Sequence, residues 1–315
     1  MIDAAVSART WSMARADLFS DMLPSSSPVL LSVGAQPGAG KTRALESALR
    51  RFYPSEGFVQ VVGDDLRRYH PDFVRLSQSP DPEVMPRETA ELSGWLVGQA
   101  LAHAAQHGYS TVVEGTLRRP ETTLATVRQF AQAGASTHLV VLGVSAAESW
   151  TGCVERYLGA LEAEQAARWT PLEAHDAGLA GTPRTLRAAE GDPAVHRISV
   201  VDRAGTVHYD NVRGMDGRWR EPARAVMVLE DLRQRPADPQ ALAARIEVLS
   251  ARADRLGAPA AVRAGVKHAR ELARRGPAVA ARTREDVLVA VRGQAHDRRP
   301  KPRTGRAARR STRDL

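Results

Sequence analysis

"LLSVGAQPGAGKTRALESALRRF" (residues 30–52) is the stretch that decides the fold. An apolar run is followed by a glycine-rich loop, the dipeptide Lys41-Thr42 and a segment with helical spacing of apolar residues. This order of strand, glycine loop, Gly-Lys-Thr and helix is that of the P-loop, in which backbone N–H groups hold phosphates. The lysine of such a loop reaches the outer phosphates, and the threonine hydroxyl ligates Mg²⁺. The sequence therefore predicts a nucleotide-binding fold.

The individual residues of this loop predict how the phosphates are held. Glycine lets backbone N–H groups approach an anion, and the N-terminus of the helix at 42–52 adds its dipole. The consensus has a glycine where this chain has Ala35, a variant that we expect the loop to tolerate. The residues predicted to bind the nucleotide are Gly38, Ala39, Gly40, Lys41, Thr42 and Arg43, and Thr42 is also the predicted metal ligand.

Strand and helix patterns alternate around this loop. Strands are predicted at 28–34, 57–63, 109–115 and 136–144, helices at 1–23, 42–52, 88–106, 120–134, 146–162 and 171–189, and a hairpin at 195–211 with its turn at Ala204-Gly205. Alternating strands and helices are typical of a parallel sheet with helices on both faces. Residues at both alternating sets of positions along these strands are apolar, as expected for strands buried on both faces. We therefore predict an α/β fold of the P-loop NTPase type.

Polar side chains follow the second and third predicted strands. In "VVGDDLRRYHPDF" (61–73), Asp64 would point into the crevice where ligands bind in open parallel sheets, and its carboxylate could take a proton from an attacking hydroxyl. In "VVEGTLRR" (112–119), Glu114 could orient a substrate or support Mg²⁺ through water, and Thr116 and Arg118 could hold a polar acceptor. The alternatives are a helix cap for Asp64 and a solvated surface position for Arg118.

Two arginines lie in a later segment, "CVERYLGALEAEQAARWTPLEAHD" (153–176). Arg156 and Arg168 could clamp a transferring phosphoryl group, whose charge spreads over its oxygens. The alternative is a helix face with salt bridges. Since the chain lacks an N-K-x-D motif for reading a guanine base and has no second motor domain, a small-molecule kinase is the favoured interpretation.

As a set, these motifs resemble the zeta toxin kinases. "GAQPGAGKT", "GDDLRRYHPDF", "VVEGTLRR", "VERY" and "ARWTPLEAHD" have the order and the spacing found in that family, over residues 28–211. The resemblance implies a P-loop kinase that uses ATP and Mg²⁺. The best-studied zeta toxins phosphorylate the 3′-hydroxyl of UDP-N-acetylglucosamine, a cell-wall precursor. Many are paired with a small helical antitoxin that blocks the nucleotide site.

The resemblance also implies roles for individual residues. Lys41 and Thr42 would serve ATP and Mg²⁺, and Asp64 would be the catalytic base. The implied acceptor-site residues are Glu114, Thr116 and Arg118, and the implied phosphoryl-stabilising residues are Arg156 and Arg168. The sequence departs from the family at Val62, where some members have an aspartate. In the helix before the third strand, Glu91 is the candidate acid for contacting the acceptor.

Beyond the motifs, we expect four segments. They are an N-terminal helical segment (1–27), the kinase domain (28–220), a helical appendage (221–296) and a disordered basic tail (297–315). Within the appendage a helix is predicted by an apolar stripe that runs from Leu242 to Leu256, and shorter helices are predicted at 259–275 and 284–292. Because residues 236–296 lie outside the span of the motifs, we expect this helical region to be separable from catalysis.

Composition and charge limit the remaining possibilities. The only cysteine is Cys153, and no apolar run reaches the 18 residues of a membrane span, so we expect a cytoplasmic protein without a membrane partner. The net charge is +8, of which the tail carries +6. That tail keeps open an NTP-dependent nucleic-acid-binding protein, although arginines without interleaved aromatic residues are a weak signal. A P-loop kinase of an antibiotic or a nucleoside is the other alternative.

Overall fold

The computed structural model describes residues 4–235 and 238–275. The predicted helix at 284–292 and the basic tail lie outside these residues. The strands are β1 (Val29–Gly34), β2 (Val59–Val62), β3 (Thr111–Gly115), β4 (Ser136–Leu142), β5 (Arg197–Val201) and β6 (Val207–Val212). The helices are α1 (Ala4–Phe19), α2 (Lys41–Phe52), α3 (Phe73–Ser77), α4 (Val84–Glu88), α5 (Ala90–His107), α6 (Pro120–Gln132), α7 (Ala146–Glu162), α8 (Leu172–Gly191), α9 (Ala225–Gln234), α10 (Pro239–Arg255) and α11 (Ala260–Arg275), with a 3₁₀ helix at Asp65–Tyr69.

The strands form one sheet in the order β2-β3-β1-β4-β5-β6. Neighbours from β2 to β5 are parallel, and β6 returns antiparallel beside β5 in the predicted hairpin. Every residue of β1 is buried, as expected for a strand covered by helices on both faces. The predicted parallel sheet with flanking helices is confirmed. No helix in the described part of the chain has the length and apolarity that crossing a membrane requires.

The order of the strands brings the predicted polar residues to one edge of the sheet. Glu114 of β3 lies in register with Val33 of β1 and with Val62 of β2. The glycine loop leaves β1 one residue after Val33, and Asp64 follows β2 by two residues. Because parallel strands end at the same edge, the loop, Asp64 and Glu114 face one crevice.

The C-terminal helices belong to two different hydrophobic cores. The apolar face of α9 belongs to the main core, where it packs on β5 and α8. Helices α10 and α11 instead cover α7, and they share a second core with the side chains of Trp150 and Trp169. The segment expected to be an appendage therefore contains one helix of the main core and two helices packed on the helix that carries Arg156.

A buried histidine links β4 to the hairpin. The hydroxyl of Ser199 donates to Asp210 at 2.7 Å, so its oxygen accepts from Nε2 of His138 at 2.8 Å. Nδ1 of His138 then accepts from the hydroxyl of Tyr53 at 3.0 Å. Burial lowers the pKa of His138 to about 3, with the nearby Arg197 guanidinium acting in the same direction. The imidazole is therefore neutral in the folded protein.

This histidine predicts a dependence of stability on pH. Its folded pKa of about 3 lies below the ordinary value of 6.5, so between these two pH values the unfolded chain binds a proton that the folded chain does not. The free energy of unfolding should therefore fall as the pH drops through that window. Urea unfolding at about pH 7 and at about pH 5 measures this change. The unfolding free energy lost between the two pH values should be smaller for His138→Gln than for the unmodified chain. An equal loss in both would contradict this assignment.

Candidate active site

A cleft of about 1000 Å³ opens at the edge of the sheet where β1, β2 and β3 end. The predicted site residues that line it are Gly38, Gly40, Lys41, Thr42, Asp64, Glu114, Thr116, Arg118, Arg156 and Arg168. Two predicted nucleotide-binding residues do not line it. Ala39 is fully buried, and Arg43 lies exposed on the first turn of α2. The acid that lines the cleft near α4 is Glu83, whereas the sequence had suggested Glu91.

The glycine loop has the backbone that its sequence predicts. Gly38 and Gly40 have φ of 74° and 92°, a region that side chains with a Cβ rarely adopt. The only non-glycine residues with positive φ in the described ranges are Leu117 and Glu164, so Ala35 has ordinary backbone angles and alanine fits there. The Nζ of Lys41 lies 3.4 Å from the carbonyl oxygen of Ala35. Burial lowers the pKa of Lys41, while Glu114 opposes this shift.

Helix α7 packs directly on this loop, which the sequence did not reveal. A Cβ on Gly38 would lie 1.9 Å from the carbonyl oxygen of Ser149, and a Cβ on Gly152 would lie 2.3 Å from the carbonyl oxygen of Gly38. Since Gly152 has helical backbone angles, conformation alone does not require a glycine at this position. Its role is to let the helix approach the phosphate loop.

We expect Gly152→Ala to displace the loop, because its neighbour is main chain and cannot rotate away. The expected cost is about 1–3 kcal/mol of unfolding free energy, together with weaker ATP binding. Gly159→Ala is the matched control on the same helix, since nothing lies within 4 Å of its added Cβ. That control should be neutral or more stable by up to about 1 kcal/mol. Thermal unfolding and ATP titration of both variants test this, and equal behaviour would refute the packing role.

Asp64 is held by two arginines. It pairs with the guanidinium of Arg168, and Nε of Arg67 lies 3.3 Å from Oδ1 of Asp64. Arg67 is itself fixed, because its Nη1 donates to the carbonyl of Pro86 at 2.8 Å and to the hydroxyl of Thr89 at 2.6 Å. Sequence reasoning missed Arg67, although its position three residues after Asp64 is the spacing of neighbours on one helical turn.

The charges around Asp64 keep it ionised. Partial burial raises the pKa of its carboxyl, but the guanidinium groups of Arg168, Arg67 and Arg156 outweigh burial, so the pKa lies below its usual value. Burial also lowers the pKa of Arg168 to about 10, a value at which it remains a cation at neutral pH. Asp64 is therefore a carboxylate, ready to accept a hydrogen bond or a proton.

The other predicted site residues surround the lysine. Burial raises the pKa of Glu114, and the Lys41 ammonium opposes this shift. Arg156 lies exposed on α7 and donates from Nη2 to the hydroxyl of Thr170 at 2.8 Å. Thr170 belongs to the loop that also carries Arg168, so one hydrogen bond ties the two predicted phosphoryl-stabilising arginines to the same wall of the cleft.

The loop that carries Thr116 and Arg118 is anchored by helix α8. Leu117 lies between them, buried and with a φ of 50°, and its carbonyl accepts from the hydroxyl of Thr185 at 2.8 Å. A Cβ on Gly181 would lie 2.5 Å from the carbonyl oxygen of Arg118, so this glycine allows the helix to approach the loop. The predicted acceptor-binding side chains therefore stand on a constrained backbone.

The residues of the cleft suit a nucleotide with a magnesium ion. Thr42 offers a hydroxyl at the cleft surface, and Asp64, Glu83 and Glu114 are the carboxylates that line it. Oxygen donors are those that Mg²⁺ prefers. Cationic lining residues outnumber the carboxylates, which matches a polyanionic ligand. ATP and Mg²⁺ therefore fit the chemistry of the cleft.

A buried central strand, a glycine loop with left-handed glycines and a helix that begins at Lys41 define a P-loop NTPase-type fold. The chain matches the Zeta toxin family over residues 15–213, which is more than half of its length. The protein belongs to the Zeta toxin family.

Individual relatives agree with this assignment. The chain is 29% identical to Toxin zeta of Enterococcus hirae over 188 residues, which are 59% of this chain and 64% of that toxin. It is 26% identical to Toxin PezT of Streptococcus pneumoniae over 190 residues, or 59% of this chain and 73% of that protein. Thus the chain covers slightly less than two thirds of the Enterococcus toxin.

A solved structure has the same fold. A chain from the PezAT chromosomal toxin–antitoxin system of Streptococcus pneumoniae superposes with a TM-score of 0.64 at 20% identity. The superposition covers 81% of this chain and 97% of that one. Because 81% exceeds the share of the chain matched to the family, the structural likeness extends beyond residues 15–213.

Proposed function

We propose that this protein is an ATP-dependent kinase that transfers the γ-phosphate of ATP to a hydroxyl group of a sugar nucleotide, with UDP-N-acetylglucosamine as the expected acceptor. The observation that supports it best is that Asp64 lines the same cleft as Lys41 and Thr42 of the phosphate loop. The guanidinium groups that lower the pKa of Asp64 keep it ionised, and an ionised carboxylate beside a phosphate-binding loop can accept the proton of an attacking hydroxyl.

The proposed reaction assigns one step to each residue. Lys41 and the backbone N–H groups of the loop hold the β- and γ-phosphates. The acceptor hydroxyl attacks the γ-phosphorus, the bond from that phosphorus to the β–γ bridging oxygen breaks, and Asp64 accepts the hydroxyl proton. Arg156 and Arg168 stabilise the negative charge of the transferring group. Mg²⁺, held by Thr42 and phosphate oxygens, would neutralise charge on the phosphates when bound.

Arg168 has two roles in this scheme. It pairs with Asp64, the proposed base. Once it contacts the transferring phosphoryl group it withdraws from the carboxylate, and the pKa of Asp64 rises because a main opposing charge has left. The base therefore gains proton affinity when the phosphoryl donor is in place.

A sugar nucleotide as acceptor is supported by membership of the Zeta toxin family and by the chemistry of the cleft. The cleft is also lined by Arg87, Arg118 and Arg119, together with Thr116, Thr122 and Thr123. Guanidinium groups suit the phosphates of an acceptor, and hydroxyl groups suit a sugar. This composition does not favour an apolar acceptor.

Labelled ATP incubated with a panel of acceptors tests the proposal. UDP-N-acetylglucosamine, UDP-glucose, a nucleoside and an aminoglycoside should be compared, with Lys41→Ala as the inactive control. Label in UDP-N-acetylglucosamine that is lost in the control supports the proposal. Label only in the nucleoside or the aminoglycoside would establish a kinase of a different small molecule. No label in any acceptor, with a salt-dependent shift of nucleic acid that needs residues 297–315, would favour the nucleic-acid-binding alternative.

We further propose a small helical antitoxin as the partner that restrains this activity. The support is that the superposed solved structure comes from a toxin–antitoxin system. The protein encoded by the adjacent gene is the natural test partner. Addition of that protein should abolish label transfer in the assay above, and unchanged transfer would count against this partner.

A further inference from the structure

The hairpin between β5 and β6 places Arg203 over the phosphate loop, a position that nothing in the proposed reaction uses. Arg203 lines the cleft together with Gly40 and Thr42. Its Nη1 donates to the carbonyl of Glu148 at 3.1 Å and, more weakly, to the carbonyl of Gly38 at 3.4 Å. The guanidinium is therefore fixed against the loop and against the first turn of α7.

The tip of the hairpin is itself rigid. Asp202 accepts from the backbone N–H groups of Ala204 and Thr206, each at 2.9 Å, and from Nε2 of His208 at 2.9 Å. The hydroxyl of Ser47 on α2 donates to the carbonyl of Gly205 at 3.3 Å. Arg203 is thus presented from a turn that is docked on the helix following the phosphate loop.

The fixed guanidinium keeps donors available. In the described part of the chain, Arg203 forms no ion pair, and Nη1 is the atom that donates its hydrogen bonds to Gly38 and Glu148. A Cβ on Gly40 would lie 3.3 Å from Cγ of Arg203, and a Cβ on Gly152 would lie 3.2 Å from its Nη2. Glycines on both sides therefore make room for this side chain. The carboxylates of Glu148 and Glu155 act on Arg203 from a distance, but among the described residues neither forms an ion pair with it, so this half-buried arginine beside a phosphate loop is suited to an anion.

The sheet order decides which part of the nucleotide lies near Arg203. Asp64 follows β2 and Glu114 lies near the end of β3, both on one side of β1, whereas Arg203 follows β5 on the other side. The γ-phosphate must face Asp64 for transfer, so the remainder of the nucleotide extends across the loop, away from the carboxylates. Arg203 stands on that side.

We propose that Arg203 binds the part of the nucleotide that is not transferred, by donating from Nη2 and Nε to phosphate oxygens that ADP and ATP share. The inference rests on the proposed function, because it requires that the cleft binds ATP. An interaction made equally in the ground state and in the transition state raises affinity without raising turnover. Loss of Arg203 should therefore act on the KM for ATP, whereas loss of Arg156 or Arg168 should act on kcat.

Calorimetric titration of ADP and ATP into the unmodified chain, Arg203→Gln and Arg203→Lys tests this inference. Arg218→Gln is the matched control, since Arg218 is exposed on the turn after β6 and outside the cleft. We expect Arg203→Gln to weaken both nucleotides about 10- to 100-fold, the usual loss for hydrogen bonds to a charged group. Arg203→Lys should be intermediate, and the control unchanged.

Steady-state kinetics of label transfer from ATP to the acceptor separate a role of Arg203 in nucleotide binding from a purely structural role. A binding role predicts a raised KM for ATP with kcat and the KM for the acceptor within about twofold of the unmodified values. If Arg203 only shaped the loop, kcat would fall as well, and that result would overturn the inference. Unchanged ADP and ATP affinity in Arg203→Gln would also overturn it. Failure of the unmodified chain to bind either nucleotide would instead refute the proposed function.

Discussion

Asp64→Asn should lower phosphoryl transfer by about 10²–10⁴-fold, the range expected when a general base is lost. The amide keeps the shape of the side chain but carries no charge and cannot take the hydroxyl proton. ATP should still bind, because Lys41, Thr42 and the glycine loop hold its phosphates independently of Asp64. Single-turnover transfer and ATP titration of the same variant measure the two effects separately.

Asp65→Asn is the control for this prediction. Asp65 is the next residue, but it opens the 3₁₀ helix and is not among the residues that line the cleft. Partial burial and the Asp64 carboxylate raise its pKa, in contrast to the lowered pKa of Asp64. We expect Asp65→Asn to retain most of the activity. If Asp65→Asn were inactive and Asp64→Asn active, the base would be misassigned by one residue.

Ending the chain after residue 235 should abolish stable folding, in contrast to the separable appendage expected from the sequence. Helices α10 and α11 bury Trp150 and Trp169, and the indole Nε1 of Trp150 donates to the carbonyl of Gly265 at 2.8 Å. Exposing one buried large apolar side chain costs about 1.5–3 kcal/mol, so exposing two tryptophans together is comparable to the whole stability of many domains, about 5–15 kcal/mol. Trp169 also adjoins Arg168, so the arginine wall of the cleft would lose its support.

A chain ending after residue 275 is the matched control, since it retains α10 and α11. Near-ultraviolet circular dichroism and thermal unfolding should show a cooperative fold for this chain and not for the shorter one. Gly265→Ala is a milder test within the full chain, because its Cβ would lie 2.6 Å from the Trp169 ring. A chain ending at 235 that is soluble, folded and active would contradict the prediction and establish a separable appendage.

The sequence by itself determined the features that depend on local spacing. The glycine pattern from Gly34 to Gly40 and the Lys41-Thr42 dipeptide specified the phosphate loop, because left-handed backbone and a helix start are local properties. Apolar runs bounded by turns specified the strands, and their alternation with helices specified a parallel sheet. Asp64 and Glu114 could be proposed for the site because polar residues at the ends of parallel strands meet at one edge.

Only the tertiary structure decided which residues from distant parts of the chain support the phosphate loop and the site. Gly152 and Gly181 have no local signature, since their role is to admit a carbonyl group from a segment far away in the chain. Arg203 follows a strand that lies across the sheet from Asp64, and its relation to the phosphate loop depends on the strand order. The apolar stripe of α10 predicted a buried face, but not that α7 is its partner. Hydrophobic burial is non-directional, so periodicity identifies the buried face of a helix while the partner is chosen by the packing of the whole chain.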